Sequence, residues 1–248
     1  MLNELDGAKY YEGQDKSVGI ILFHAYTGSP NDVNLLARKL SRLGYGVLCP
    51  TFKGHATKDV NDILDASIEN WKEEALHAVS LMKDVYEEVM VFGLSLGGIF
   101  ATWLSTQVDL NILAAGVFNS PVYTKEPIDV ETHFIRYVKA IYKRFSTEVA
   151  YEQDIEAILI RHRRQIEELE LFKASFVGDL NKITQPFFIA QSGEDEMINS
   201  QDAIRLRDTL VNSRVDFNEF PNNTHVITVN RDREDFEQAF IHFIDSNK

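Results

Sequence analysis

Short apolar runs recur along this chain, and longer amphipathic segments separate them. Each run is five or six residues long and rich in β-branched and aromatic side chains, which is typical of buried strands. The runs occupy residues 18–23, 46–50, 88–93, 114–119, 186–191 and 215–220. Most of the segments between them carry apolar residues at the spacing of a helix with one buried face. This alternation predicts an α/β fold, with a mostly parallel central sheet flanked by helices.

One long segment interrupts the alternation. Between residues 122 and 182 the sequence contains no candidate for a buried strand. It contains instead two amphipathic helix candidates, "HFIRYVKAIYKRF" and "DIEAILIRHRRQIEELELF", each with an apolar stripe and a charged opposite side. We therefore predict that residues 1–121 and 183–248 form the core domain, and that residues 122–182 form a small helical cap inserted between two strands.

The charge and the cysteine content exclude several classes of function. The formal net charge at pH 7 is −13, so the chain lacks the basic surface of a nucleic-acid-binding protein. Its single cysteine, Cys49, allows no internal disulfide and lies in an apolar run, which indicates a buried structural thiol. The first residues, "MLNELDGAKYYEG", contain no apolar stretch of the signal-peptide type, and we expect a cytoplasmic protein.

Residues 89–108 carry no charge and have the length of a membrane-spanning helix. Their composition argues against such a helix, because the first half is β-prone and the adjacent Gly97 and Gly98 would weaken a helix interior. A strand, a sharp turn and a helix explain this composition better. We therefore predict no membrane span.

The turn in this stretch is "GLSLG", residues 93–97, a G-x-S-x-G motif. Where a strand turns abruptly into a helix, the apex residue is strained, and the residues two positions away on either side approach so closely that both must be glycine. The apex side chain, here Ser95, then stands at the N-terminus of the helix. A developing anion meets free N–H groups there, so Ser95 is the candidate nucleophile.

A serine nucleophile needs a general base, and the base needs an acid that orients it. In folds with this turn, the acid and then the histidine follow the serine along the chain, each just after a strand. Asp195 follows the fifth apolar run, and His225 follows the sixth. Glu194 and Glu196 flank Asp195 and are alternative acids. The remaining histidines are interpreted as packing, surface or loop-fixing residues: His24, His55, His77, His133, His162 and His242.

An acyl-transfer site also needs hydrogen-bond donors for the oxyanion. One is expected to be the backbone N–H of Leu96, the residue after the candidate nucleophile. The other is expected from the loop after the first predicted strand, which reads "FHAYTGSP". In that loop the backbone N–H of Tyr26 is the candidate.

Several short motifs occur in the order and spacing found in α/β-hydrolases: "HAYTGSPNDV", "KGHA", "GLSLGG", "DEMIN" and "HVIT". The chain resembles this superfamily over nearly its whole length. It is most similar to small thermostable bacterial carboxylesterases, which are related to bacterial monoacylglycerol lipases. The resemblance implies a triad of Ser95, Asp195 and His225, oxyanion donors at Tyr26 and Leu96, and a cap that shapes the acyl pocket. It also implies no cofactor and no metal.

These observations predict a serine carboxylesterase that hydrolyses short- to medium-chain carboxylic esters through an acyl-enzyme on Ser95. The cap residues Phe134, Tyr137 and Ile141 are predicted to contact the substrate. A monoacylglycerol lipase or a thioesterase is the alternative among enzymes, and a ligand-sensing protein of the same fold is the alternative outside them. The predicted partner is a small-molecule ester, with no nucleic acid, and the protein is expected to be a monomer or a small homo-oligomer.

Overall fold

The computed structural model describes residues 6–123 and 129–248, and one sheet forms its centre. The strands in these residues are β1 (Lys9–Tyr11), β2 (Val18–Phe23), β3 (Gly46–Cys49), β4 (Glu88–Leu94), β5 (Ala114–Phe118), β6 (Phe187–Ser192) and β7 (Val215–Phe220). Across the sheet they lie in the order β1-β3-β2-β4-β5-β6-β7. β1 runs antiparallel to β3, and the other neighbours are parallel. The loops that follow the parallel strands therefore gather along one edge, where ligands bind in open α/β sheets.

Helices cover both faces of the sheet. In the described residues they are α1 (Asn31–Arg42), α2 (Val60–Asp65), α3 (Ile68–Lys83), α4 (Leu96–Thr106), α5 (Val130–Phe145), α6 (Glu148–Val177), α7 (Ser200–Thr209) and α8 (Glu234–Asp245). α1 and α8 share one buried cluster with Ile20 and Leu22 of β2. α3, α4 and α7 share the other with Ile21 and Phe23. Because β2 is buried on both faces, its run of side chains is continuously apolar.

The predicted α/β fold with a mostly parallel sheet is confirmed. All six predicted strands are present, with ends shifted by at most one residue. β1 and α2 are additional elements that the sequence pattern did not predict. β1 has three residues and pairs with β3 at the edge of the sheet. α2 has six residues and is capped by the side chain of Asp59, which accepts a hydrogen bond from the N–H of Asn61 at 2.8 Å.

Two helices, α5 and α6, lie between β5 and β6. On α5, Phe134, Val138 and Tyr142 follow one another at four-residue spacing and are buried. α6 has 30 residues and is about 45 Å long at 1.5 Å per residue. Residues 124–128 of the predicted cap lie outside the described residues, and the boundaries of the cap stay a prediction.

The two halves of α6 pack against different parts of the protein. In the first half, Arg161 donates to Asn61 Oδ1 at 2.7 Å and also bonds to Asp65, so the helix is attached to α2. In the second half, the ring of Phe172 stacks on Phe100 of α4 at 5.3 Å and meets Trp103 at 5.6 Å. The chain then returns to β6. α6 is therefore also the crossover helix between the parallel strands β5 and β6.

The uncharged residues 89–108 are most of β4 followed by α4 and a turn. Every residue of α4 is buried, because the helix lies between the sheet and the helices outside it. This position explains why the stretch carries no charge. In the part of the chain that the structure describes, no helix is both long and apolar enough to cross a membrane.

Candidate active site

Ser95 lies at the apex of the turn between β4 and α4. Its backbone has φ 52° and ψ −114°, a conformation that residues other than glycine rarely adopt. Two hydrogen bonds hold it: the Ser95 N–H donates to Phe118 O at 2.9 Å, and the Ser120 hydroxyl donates to Ser95 O at 2.6 Å. Phe118 is the last residue of β5 and Ser120 follows two residues later, so the neighbouring strand and the start of its loop hold the strained apex in place.

Two glycines leave room for this turn. A Cβ atom built on Gly93 would lie 2.1 Å from the carbonyl carbon of Gly97. One built on Gly97 would lie 2.5 Å from the carbonyl oxygen of Phe23. Both distances are far below van der Waals contact, so either side chain would force the backbone segments apart. The close approach expected from the G-x-S-x-G spacing is therefore present.

Asp195 and His225 meet at the same edge of the sheet, in the loops after β6 and β7. The Nδ1 atom of His225 lies 3.0 Å from each carboxylate oxygen of Asp195, and both side chains are buried. The N–H groups of Met197 and Ile198 each donate to Asp195 Oδ1 at 2.9 Å and fix the carboxylate. When Nδ1–H of a neutral imidazole donates to a carboxylate, Nε2 is left as a proton acceptor. The pair therefore has the arrangement that a general base needs.

The two alternative acids occupy other positions. Glu196 Oε2 accepts a hydrogen bond from the backbone N–H of His225 at 3.1 Å, so this carboxylate contacts the main chain of the loop rather than the ring. Glu194 is exposed, and its N–H donates to Asn223 O at 3.0 Å. The geometry therefore favours Asp195 as the acid beside the candidate base.

Asn119 connects three loops of the site, a role that the sequence pattern does not reveal. It is fully buried and has a positive φ of 45° just after β5. Its amide Nδ2 donates to Ser192 Oγ at 2.8 Å and to His225 O at 2.7 Å, and its Oδ1 accepts from the Ser192 N–H at 2.7 Å. The loop that carries His225 is thereby bonded to the ends of β5 and β6.

Ser95 and His225 line one cavity of about 290 Å³. Most of its wall is apolar and comes from α4, α5, α6 and the loops beside them: Ile99, Pro121, Val130, Phe134, Ile166, Leu169, Met197, Ile198 and Val226. A few polar side chains interrupt this wall: Thr27, Asp32, His133, Arg136 and Glu196. An apolar cavity with a small number of polar groups is the usual form of a small-molecule site.

The two candidate oxyanion donors, Tyr26 and Leu96, also line this cavity. Leu96 is the first residue of α4, so its N–H has no acceptor within the helix. Tyr26 is the second residue of a turn in which the Gly28 N–H donates to Ala25 O at 3.1 Å. Such a turn does not use the N–H of its second residue. Both backbone N–H groups are therefore suited to donate to a ligand.

The three cap residues predicted to contact a substrate have different positions. Phe134 lines the cavity. Tyr137 and Ile141 pack against the buried cluster beside it, and the ring of Tyr137 lies 6.1 Å from that of Phe134. Ile166 and Leu169 of α6 line the cavity as well. Their place on an apolar helical stripe was visible in the sequence, but the part of the stripe that faces the cavity was not.

His24 fixes the loop that contains Tyr26, as its position in the sequence suggested. The ring is fully buried, its Nε2 accepts from the Phe52 N–H at 3.1 Å, and its Nδ1 lies 2.8 Å from Ala25 O. Because Nε2 is an acceptor, Nδ1 carries the proton and donates. Burial lowers the pKa of His24 to about 4, so the ring is neutral at pH 7.

Asp32, in the first turn of α1, is a carboxyl group in the cavity wall that the sequence pattern does not single out. Its Oδ2 accepts from the N–H groups of Ala25 and Ser29, each at 3.3 Å, and so it spans the loop that contains Tyr26. Burial raises the pKa of Asp32 to about 6, although the two N–H donors and nearby His225 favour the ionised form.

Asp32 is expected to make the stability of the protein fall as pH rises through about 6. An aspartate in an unfolded chain has a pKa of about 3.9, so between about pH 4 and 6 the folded state holds this proton more tightly. The resulting stability is fully present below about pH 4 and lost above about pH 6, with a size of about 2 to 3 kcal/mol. Asp32→Asn should gain stability relative to the wild type as pH rises. Urea denaturation of both proteins between about pH 4.5 and 7.5 measures the difference, and a difference independent of pH would contradict the prediction.

Comparison with known families identifies the chain. The model of the dienelactone hydrolase family matches residues 6–142, more than half of the sequence. The chain belongs to the dienelactone hydrolase family. The matched region includes the loop of Tyr26 and the turn of Ser95. Membership confirms the predicted α/β-hydrolase resemblance and the prediction of an ester hydrolase.

This member of the dienelactone hydrolase family is similar to two curated proteins at 24% identity. One is a carboxylesterase of Bacillus subtilis (strain 168), aligned over 95% of this chain and 94% of the relative. The other is a thermostable monoacylglycerol lipase of Bacillus sp. (strain H-257), aligned over 92% and 91%. Among solved structures, a metagenome-derived lipolytic enzyme has a TM-score of 0.76 at 19% identity, covering 98% of this chain and 99% of that chain. The structural likeness supports the fold.

Proposed function

We propose that this dienelactone hydrolase-family protein is a serine carboxylesterase that hydrolyses short- to medium-chain carboxylic esters through an acyl-enzyme on Ser95. The observation that carries the proposal is the cavity that Ser95 and His225 line together, with Asp195 bonded to the ring of His225. Similarity to the Bacillus subtilis carboxylesterase supports the same class of reaction.

In the first half of the proposed reaction, His225 Nε2 removes the proton of the Ser95 hydroxyl while Oγ attacks the ester carbonyl carbon. Asp195 stays ionised and stabilises the imidazolium that forms. The N–H groups of Tyr26 and Leu96 bind the oxygen on which negative charge develops. The imidazolium then protonates the leaving alcohol, and the acyl group remains on Ser95.

In the second half, water takes the place of the alcohol. His225 removes a proton from the water as it attacks the acyl carbon, and the same two N–H groups bind the second oxyanion. Collapse of this intermediate breaks the bond to Ser95 Oγ, which recovers its proton from His225. The products are a carboxylic acid and the free enzyme, and these reaction steps require no cofactor.

We propose that α5 and α6, within residues 122–182, act as a cap that shapes the acyl pocket. The cavity of about 290 Å³ lies at the lower end of the range of roughly 300–1,000 Å³ for small-molecule sites. This size supports short to medium acyl groups. Phe134, Ile166 and Leu169 supply apolar surface, against which each buried methylene of an acyl chain gains about 0.8 kcal/mol.

A monoacylglycerol lipase is the second candidate function. Thr27, Asp32 and Glu196 place hydrogen-bonding groups in the wall of the same cavity, where they offer partners for the free hydroxyls of a glycerol moiety. The thermostable monoacylglycerol lipase of Bacillus sp. (strain H-257) is among the similar proteins. Both candidate functions use the same proposed triad and differ in the alcohol that leaves. The cytoplasmic location and the oligomeric state stay predictions.

Hydrolysis of a series of esters tests the proposal. We expect turnover of p-nitrophenyl esters with an optimum at about four to eight acyl carbons, and kcat/KM for palmitate lower by at least about tenfold. Monoacylglycerols and acyl-CoA thioesters of the same acyl length distinguish a lipase and a thioesterase. A fluorophosphonate probe should inactivate the enzyme, with peptide mass spectrometry locating the label on Ser95. No turnover and no label would contradict the proposal and favour a ligand-sensing protein.

A further inference from the structure

We propose that the side chain of Tyr26 is a positioning residue, which ties the oxyanion hole to the cap helix α6. The inference rests on the proposed function, in which the backbone N–H of Tyr26 stabilises the oxyanion. The hydroxyl at the far end of the same residue is bonded to Gln165 and His162 of α6. Tyr26 therefore has two roles: its side chain attaches the cap helix to the core, and its backbone N–H is the proposed oxyanion donor.

The neighbours of Gln165 allow only one orientation of its side-chain amide. Its amide Nε2 donates to Ile63 O at 2.7 Å and to Ala66 O at 2.9 Å, which uses both of its protons. Its Oε1 therefore faces away from these carbonyls, and it accepts from the Tyr26 hydroxyl at 2.8 Å. Gln165 is buried, with 4% of its surface exposed. It joins α6 at once to the end of α2 and to Tyr26.

The second contact of the hydroxyl fixes the tautomer of His162. Tyr26 has one hydroxyl proton, which goes to Gln165, so its oxygen must accept from His162 Nδ1–H across 3.1 Å. Burial lowers the pKa of His162 to about 4, and the ring is neutral at pH 7. The ring also stacks on Phe134, with centroids 3.9 Å apart and planes 6° apart. The hydroxyl of Tyr26 is thus held in the contact between α5, α6 and the core.

The backbone of Tyr26 lies in a turn that needs such support. The next residue, Thr27, has a φ of 58°, in the left-handed region that a β-branched side chain rarely adopts. Turns with positive φ at the third position favour glycine there. The carboxylate of Asp32 bonds the N–H groups on either side of Tyr26 and Thr27, at Ala25 and Ser29. Two sets of hydrogen bonds therefore hold the turn: those of the Asp32 carboxylate to its backbone, and those of the Tyr26 hydroxyl to α6.

A phenylalanine would retain the packing of Tyr26 without its hydrogen bonds. The ring lies 6.0 Å from Phe134 and 6.3 Å from Trp71, contacts that do not involve the hydroxyl. A buried hydroxyl is unfavourable unless it is hydrogen-bonded, so packing does not account for a tyrosine at this position. The two bonds to α6 account for it.

The experiment compares Tyr26→Phe with the wild type on p-nitrophenyl butyrate. We expect kcat to fall about tenfold, less than the roughly 100- to 1,000-fold of losing an oxyanion donor outright, with KM within about twofold. An aryl trifluoromethyl ketone gives the decisive readout. Ser95 Oγ adds to its carbonyl carbon, the serine proton passes to His225, and the alkoxide oxygen occupies the oxyanion hole. Its inhibition constant should rise by the same factor as kcat falls.

Tyr142→Phe is the matched control, because the Tyr142 hydroxyl is also bonded to α6: it donates from α5 to Asp154 Oδ2 at 2.8 Å. It should leave kcat and the ketone constant unchanged, even where its melting temperature falls as much as that of Tyr26→Phe. Unchanged kcat in Tyr26→Phe, or equal losses of kcat in both variants, would overturn the inference. If the wild type fails to turn over esters and the ketone does not bind, the proposed function itself has failed.

Discussion

Ser95→Ala is expected to lower kcat for p-nitrophenyl butyrate by about 10⁵- to 10⁶-fold, the loss found when a serine nucleophile acting within a triad is removed. Alanine deletes the oxygen that is proposed to attack the ester, and it leaves the proposed oxyanion donors and the cavity in place. Binding of butyrate should therefore persist, and the residual rate should remain above that in water. Stopped assays at high enzyme concentration, together with a binding measurement, separate the two effects.

Ser105→Ala is the matched control for this substitution. Ser105 is another buried serine of the same region, on α4, and its hydroxyl donates to Ala101 O at 2.7 Å within the helix. We expect kcat of this variant to stay within about twofold of the wild type, since it removes a helix-internal bond and nothing in the cavity wall. A Ser95→Ala enzyme that retains more than about 1% of kcat would show that another group is the nucleophile.

Gly93→Ala is expected to destabilise the fold by more than about 4 kcal/mol, the range reached when a side chain is forced into space filled by backbone. Its Cβ would lie 2.1 Å from the carbonyl carbon of Gly97 and 2.2 Å from the carbonyl oxygen of the same residue. Neither atom belongs to a flexible side chain, so the start of α4 would have to leave β4. Denaturant unfolding measures the loss, and poor yield of folded protein is its extreme form.

Gly178→Ala provides the comparison. A Cβ atom built on Gly178, after the end of α6, meets nothing within 4 Å, and the residue has an ordinary helical φ of −65°. Alanine there should change the free energy of unfolding by less than about 1 kcal/mol, with a small gain expected from the stiffer unfolded chain. Equal effects at Gly93 and Gly178 would mean that the strand-to-helix turn tolerates a side chain, and the strained apex would need another explanation.

The apolar pattern of the sequence predicts the central strands of this fold well, because a strand that is buried on both faces is a continuous run of apolar residues. β2 and β4 to β6 are almost entirely buried, and their continuous apolar runs indicate their positions to within a residue. β1 reads "KYY", is only partly buried, and is a strand because its main chain pairs with β3. α2 has two buried residues, Val60 and Ile63, too few to produce a helical period. Elements of this kind depend on partners that are distant in the chain.

The site divides in the same way: the sequence predicts the part that depends on local spacing, and it does not predict the part that depends on residues distant in the chain. The G-x-S-x-G spacing is local, since Gly93 and Gly97 must make room for the turn at Ser95 whatever surrounds it. The roles of Asn119 and Gln165 are not local. Gln165 reaches Tyr26 across 139 positions and Asn119 reaches the His225 carbonyl across 106 positions. An amide or carboxyl side chain gives no sign in the sequence of which distant backbone groups it will meet.

The double role of α6 limits how the specificity of this enzyme can be changed. The helix that places Ile166 and Leu169 in the cavity wall also places Phe172 on α4 and delivers the chain to β6. A cap taken from a relative would have to reproduce the length and rotation of this helix, because a one-residue insertion turns every later side chain by about 100°. Replacing the whole proposed cap is therefore a poor route to new substrates. Single substitutions at the cavity-lining positions of these helices, Ile166 and Leu169 of α6 and Phe134 of α5, keep the helical register and are the better route.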